Sequence, residues 1–198
     1  MRSTPITPPR RQLFALVLVA SWVLLRQSCP AFASDVSVPL RTQALLLAKV
    51  AQYDRSLVSR PGPRTVLIVG TNKTESVRNA QGIAAELRSI DKIAGLPHRV
   101  LSVDFVSARE LRKRTQSESA QVIYFCAGLE DRLPEIASEL AGLTVLSVGA
   151  GVNFATTGTV IGFDVHSGRV QLLVNLKQAQ RQNVQFHAEF LKIAKVIR

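Results

Sequence analysis

Apolar residues change their spacing along the chain in a regular order. From Ser37 to Leu57, Leu40, Ala44, Leu47 and Ala51 form one stripe and Leu46, Val50, Tyr53 and Leu57 the next. Steps of three and four predict an amphipathic helix, which Pro61-Gly62-Pro63 stops. Thr65-Val66-Leu67-Ile68-Val69 is a continuous, largely β-branched run and reads as a strand buried on both faces. Glu75 to Ile90 returns to helical spacing through Val77, Ile83, Ala84 and Leu87, and Gly95-Leu96-Pro97 breaks it. His98 to Val106 alternates, which predicts a second strand, and Ser107 with Glu110 fits a capping box opening a short helix. Val122 to Cys126 reads as the third strand, Asp131 to Leu140 as a helix and Thr144 to Val148 as the fourth strand. Val160 to Val165 and Val170 to Val174 are two more, joined through Ser167-Gly168 as a β-hairpin. Helical material closes the chain: Leu176 to Arg181, a break at Asn183, then a stripe of Phe186, Phe190, Ile193 and Ile197.

Alternating strands and helices predict an α/β fold of three layers. Its sheet is mixed but mostly parallel, with helices on both faces, and a C-terminal β-hairpin is followed by helices. No internal stretch resembles a linker, so residues 34–198 read as a single domain.

The N-terminus carries a different pattern. Residues 1–33 contain Arg2, Arg10, Arg11 and Arg26 and no acidic residue. The apolar run Leu13 to Leu25 has the length of a signal-peptide core, short of the roughly 20 residues of a bilayer-spanning helix. Ala31-Phe32-Ala33 supplies a small-x-small cleavage site before Ser34. Arg26 and Pro30 end the apolar run early, against an uncleaved anchor. The reading is a signal peptide over 1–33 and a periplasmic location, by the Sec route in preference to the twin-arginine route that Arg10-Arg11 also suggests. Cys29 follows Arg26-Gln27-Ser28, which lacks the residues a lipidation site needs.

Removing this segment changes the charge. Four of the 25 basic residues go, leaving 21 against 14 acidic and a net charge of +7 instead of +11. Cys126 becomes the one remaining cysteine, so no intrachain disulfide forms, and its place in an apolar run marks it as a buried thiol. Basic residues cluster at Arg109, Arg112, Lys113 and Arg114 and again over Arg169, Lys177, Arg181, Lys192, Lys195 and Arg198. In an exported protein these suit an acidic protein partner or peripheral contact with an anionic membrane surface better than nucleic acid.

No catalytic constellation is legible. Gly149-Ala150-Gly151 follows a strand, but Phe154 stands where a dinucleotide fingerprint needs a third glycine, so the segment reads as a turn. His98, His166 and His187 lack metal-ligand spacing, and no G-x-S-x-G occurs. Ser147 to Phe154 could serve an enzyme only with a base that the sequence does not reveal. Glu130, Asp131 and Glu135 fall at a helix start, where negative charge is favoured. Catalytic residues, cofactor and metal are therefore assigned as none. Gly70, Thr71 and Asn72, between a strand and a helix, form a candidate anion site.

With this organisation in view, the chain resembles the YfiR family of periplasmic proteins. Phe154-Ala155-x-x-Gly158-x-Val160-Ile161-x-Phe163 is similar to that family's F-a-x-x-G-x-x-I-x-F stretch, Val174-Asn175-Leu176 to its I-N-L step, and Phe190 to Val196 to its closing L-L-x-L-A-x-V. Gln43 to Lys49, followed by Tyr53-Asp54-Arg55, matches the opening helix of one subgroup. The resemblance implies a non-enzymatic, dimeric regulator. Such a protein binds the periplasmic domain of an inner-membrane diguanylate cyclase, restraining cyclic di-GMP output and biofilm formation. Two departures stand out. Ala155 and Gly162 occupy positions that resemble disulfide cysteines of the family, and Leu173 stands where an acidic residue belongs to a surface tied to repression. Leu173, Asn175, Ala179 and Ile197 are the partner-binding positions the resemblance implies. The alternative function is a periplasmic small-ligand or anion-binding protein.

Overall fold

A computed structural model describes residues 38–197, so the apolar run and cleavage site lie outside the described residues. The elements in chain order are α1 (Leu40–Ala51), α2 (Arg55–Val58), β1 (Arg64–Gly70), α3 (Thr74–Arg88), β2 (His98–Asp104), α4 (Ala108–Ser117) and β3 (Val122–Phe125). A 3-10 turn (Glu130–Arg132) then leads into α5 (Leu133–Glu139), β4 (Leu146–Gly149), α6 (Val152–Thr157), β5 (Ile161–His166), β6 (Arg169–Asn175), α7 (Leu176–Arg181), α8 (Ala188–Ile193) and β7 (Lys195–Ile197).

Among the described residues the strands form a seven-stranded sheet in the order β2-β1-β3-β4-β5-β6-β7. β1 to β5 run parallel, β6 runs antiparallel to β5, and β7 runs parallel to β6. The sheet is thus mostly parallel and mixed, with helices on both faces. Alternation along β1 shows why. Val66 and Ile68 enter one core with Leu47 and Val50 of α1 and Ile83 and Leu87 of α3, whereas Leu67 and Val69 enter the other with Leu111, Leu133 and Ile136. Every residue of β1 is buried, and each such aliphatic side chain stabilises the fold by about 1.5–3 kcal/mol.

The β5–β6 hairpin turns through Ser167 and Gly168, both at positive φ (50° and 73°). Two left-handed residues match the twist of the flanking strands and set the register His166↔Arg169.

Three elements differ from their sequence reading. The first helix divides at Asp54, whose carboxylate accepts from Ser56 N–H at 2.9 Å and starts α2. The turn after β4 contains a helix, α6. The closing stripe is not one helix: α8 ends at Ile193, Ala194 is extended, and residues 195–197 pair with β6 as Leu173↔Lys195 and Asn175↔Ile197. Phe190 faces inward, stacked on Tyr53 at 5.4 Å and tilted against Phe186 at 4.9 Å, while Ile193 is 71% exposed.

Candidate functional site

The positions implied as partner-binding converge on the β6–α7–β7 corner. Asn175 organises it: its Oδ1 accepts from Gln178 N–H at 2.9 Å and caps α7, while its Nδ2 donates to the Ala155 carbonyl at 2.8 Å. Ile197 lies opposite Asn175 on β7 and is partly exposed. Leu173 and Ala179 are 1% and 2% exposed, so in this chain they are core side chains and offer a docking protein no direct contact. The exposed groups beside them are Ile193, Lys192 and Lys195. Among the described residues the basic side chains Lys177, Arg181, Lys192 and Lys195 form no ion pair. β7 also ends the sheet order, so its outer strand edge is unpaired among the described residues. Ile193 escaped the sequence reading because it fits a helical stripe; the signal lay in the stripe's shortness after Phe190.

The basic residues of α4 behave differently. Arg112 Nη1 donates to the carbonyls of Glu139 and Ala141, closing the end of α5, and Lys113 and Arg114 pair with Glu110 and Glu118. Ser107 accepts from Glu110 N–H at 3.2 Å, so the predicted cap is made by the serine side chain.

β1 lies between β2 and β3, which makes the loops after β1 and β3 the switch point where open α/β sheets bind ligands. Gly70, Thr71 and Asn72 stand there. Gly70 ends β1 in the core, Thr71 is half-buried and Asn72 is exposed. The Thr71 N–H already donates to Ser76 Oγ at 2.9 Å, and the Gly128 N–H donates to Glu130 Oε2 at 2.8 Å. A Cβ on Gly128 would lie 3.6 Å from Thr71 Oγ1, so the two loops touch. Internal partners, one of them a carboxylate, occupy these backbone donors.

Ser147 is fully buried. Its hydroxyl accepts from Val160 N–H at 2.9 Å and donates to Gln182 Oε1 at 2.7 Å, which joins β4, the start of β5 and the end of α7. No histidine takes part in this network; His98 instead contacts the Leu87 carbonyl through Nε2 at 2.9 Å. The Phe154–Phe163 stretch of the family resemblance is built of packing residues. Phe154 covers Gly149 so closely that a Cβ there would coincide with the phenylalanine side chain. A Cβ on Gly158 would stand 2.7 Å from the Leu133 carbonyl oxygen. One on Gly162 would meet the Ala155 Cβ at 2.7 Å and the Gly151 carbonyl oxygen at 2.8 Å. Ala155 and Gly162 are therefore neighbours across α6 and β5, held by contact and not by sulfur.

Cys126 is buried, and burial pushes its thiol up to about 12. Burial likewise raises the Tyr124 phenol, which donates to Gln43 Oε1 at 2.6 Å while Gln43 Nε2 donates to the Val38 carbonyl at 2.7 Å. This chain of bonds ties α1 to β3. Among the described residues no group of three or more His, Cys, Asp or Glu side chains could hold a metal ion, and no helix is long and apolar enough to cross a membrane.

Comparison with solved structures extends the fold assignment. The ABC domain in complex with L-Trp from Streptococcus pneumonia is 12% identical with a TM-score of 0.56, covering 80% of this chain and 62% of that one. A ligand-free, open substrate binding protein with adhesive properties from Clostridium difficile is 11% identical with a TM-score of 0.57, covering 82% and 60%. A conserved domain protein from Vibrio cholerae is 12% identical with a TM-score of 0.54, covering 83% and 61%. The chain spans about 60% of the length of these structures and shares with them the α/β fold. No curated protein matches it. The sequence profile of the YfiR/HmsC-like proteins matches residues 81–195, from the middle of α3 to the start of β7 and including the whole α6–β5 packing unit. The chain therefore belongs to the YfiR/HmsC-like family, a family of periplasmic regulatory proteins.

Proposed function

We propose that this chain is a non-enzymatic regulator, exported to the periplasm and cleaved before Ser34, that acts by docking on the periplasmic domain of an inner-membrane signalling protein. A diguanylate cyclase is the receptor class the family points to, with cyclic di-GMP output and biofilm formation as the processes adjusted. Family membership across residues 81–195 is the observation that carries this reading. The exposed Lys192, Ile193 and Lys195 and the partly exposed Ile197, close together in sequence, support it: apolar and basic groups suit an acidic, partly apolar partner surface. A homodimer is part of the proposal.

Affinity purification of the tagged mature protein from solubilised membranes tests it. Recovery of an inner-membrane protein with a periplasmic domain, lost on Ile193→Asp, is the expected result. Repeated recovery of the chain alone would count against docking. The second reading, a periplasmic small-ligand or anion-binding protein, draws on the basic cavity between α2 and the residues ahead of β4.

A further inference from the structure

Among the described residues, a cation at the start of β1 has no ion-pair partner. Arg64, the first residue of β1, is fully covered. Its Nη1 donates to the Arg60 carbonyl at 3.0 Å, whereas Nε and Nη2 have no hydrogen-bond partner among the described residues. Buried guanidinium donors are normally taken up by carboxylates, carbonyls, water or an ion, and an unpaired buried charge is strongly unfavourable. Burial, and then the neighbouring Arg60 charge, holds the Arg64 pKa below its ordinary value.

Arg60, whose carbonyl fixes Arg64, also lines a cavity of about 530 Å³. Arg55 and Ser59 share its wall on the α2 side, and Thr144, Asn183 and Gln185 face them. Every charged side chain in that wall is a guanidinium. Arg55, Arg60 and Arg64 form no ion pair with a carboxylate among the described residues. Asp54, the acid next to α2, is turned inward: its Oδ1 accepts from Ser56 Oγ, Ser56 N–H and Gln185 N–H at 2.6, 2.9 and 3.4 Å. Ser59, Thr144 and Asn183 complete the polar wall, with Ser59 Oγ donating to the Ser56 carbonyl at 3.4 Å and Asn183 Nδ2 to the Gly142 carbonyl at 3.2 Å.

We propose that this cavity binds a phosphate group, carried by a soluble phosphate ester or by a lipid headgroup, with Arg55 and Arg60 as its ligands and Arg64, held on the Arg60 carbonyl outside the wall, adding positive charge nearby. Two guanidiniums in the wall, with a third bonded to the Arg60 backbone, exceed what one carboxylate neutralises. A phosphate brings up to two charges and acceptor oxygens on several sides, matching forked donors that approach from different directions. The site lies at the opposite end of the strands from the β1–β3 switch point and does not depend on the docking corner, so either can fail without the other.

Titration of the mature protein with inorganic phosphate, against sodium chloride at matched ionic strength, tests the proposal by calorimetry and by thermal melting. Saturable binding and a raised Tm are expected with phosphate alone. Affinity should fall at least about tenfold in Arg55→Gln and in Arg60→Gln, each of which removes a charged hydrogen bond, and stay unchanged in Lys113→Gln on α4. Arg64→Met should melt higher than wild type without phosphate and lose the phosphate response; the two surface variants decide the matter if it does not fold. Co-sedimentation with phosphatidylglycerol vesicles but not phosphatidylcholine, abolished in Arg55→Gln/Arg60→Gln, would identify a lipid headgroup. Phosphate binding without sedimentation would identify a soluble ester. Absence of a phosphate-specific response in wild type, or one that persists in the double variant, would overturn the proposal.

Discussion

Ser147→Ala removes one hydroxyl from the node that joins β4, the start of β5 and the end of α7. The hydroxyl accepts from Val160 N–H at 2.9 Å and donates to Gln182 Oε1 at 2.7 Å, and Ser147, Val160 and Gln182 are all fully buried. Alanine leaves a buried amide N–H and a buried amide oxygen unpaired, each costing about 1–3 kcal/mol. A water entering the vacated space would recover part of that, so the expected loss is about 3 kcal/mol. A domain of this size loses roughly 2–4 °C in Tm per kcal/mol, which places the drop at about 6–12 °C. Urea unfolding of residues 34–198, followed by far-UV circular dichroism, measures it; the midpoint should fall while the slope stays constant. Ser147→Ala/Gln182→Leu removes the stranded oxygen as well and should recover about 1 kcal/mol. A loss below about 0.5 kcal/mol would refute the assignment of Ser147 to structure. So would a gain in stability, the mark of a residue strained for chemistry.

Three further outcomes follow from the same structure. Gly149→Ala places a methyl group where Phe154 already lies and should destabilise by about 3 kcal/mol or more through displacement of α6, read from the urea midpoint. Burial raises the Asp54 carboxyl, so the protonated form favours folding below the ordinary value of 3.8 and that contribution is lost as pH rises; Asp54→Asn should match wild type near pH 3 and equal or exceed it at pH 7 in thermal melts. Burial pushes the Cys126 thiol from 9.0 up to about 12, so between these values the folded state keeps a proton that the unfolded state releases, and stability should fall as pH climbs through that window. Iodoacetamide at pH 8 should leave the native thiol unmodified and alkylate it in urea, and Cys126→Ala should flatten the alkaline slope.

The continuous and alternating apolar runs made β1 to β6 readable from sequence; β1, β3 and β4 are buried throughout, whereas β2 at the sheet edge is only partly covered. The β5–β6 turn was equally legible, since Ser167-Gly168 supplies the positive φ values that a two-residue connection requires. α6 was not. Val152 to Thr157 has little intrinsic helix preference, and its helix is held by Phe154 seated on Gly149, a contact no local pattern encodes. β7 was hidden for a related reason. Lys195 to Ile197, which a stripe running through Ile197 reads as helix, become a strand because β6 offers them an edge. The family motifs were visible as residues, yet their role in packing α6 on β4 and β5 emerges only in three dimensions. Arg64 at the head of β1 gave no signal at all, since an arginine beside Pro-Gly-Pro reads as ordinary loop chemistry until its burial is known.

Site-directed photocrosslinking in intact cells addresses docking at the membrane most directly. A photoreactive phenylalanine analogue at Ile193 or Ile197 of the exported chain should yield an adduct identified by mass spectrometry as an inner-membrane signalling protein, with the bond in its periplasmic domain. The same analogue at Gln81, exposed at the start of the family match on α3, should yield none. Adducts only with cytoplasmic proteins, or equal labelling from all three positions, would contradict a regulator that works through this corner.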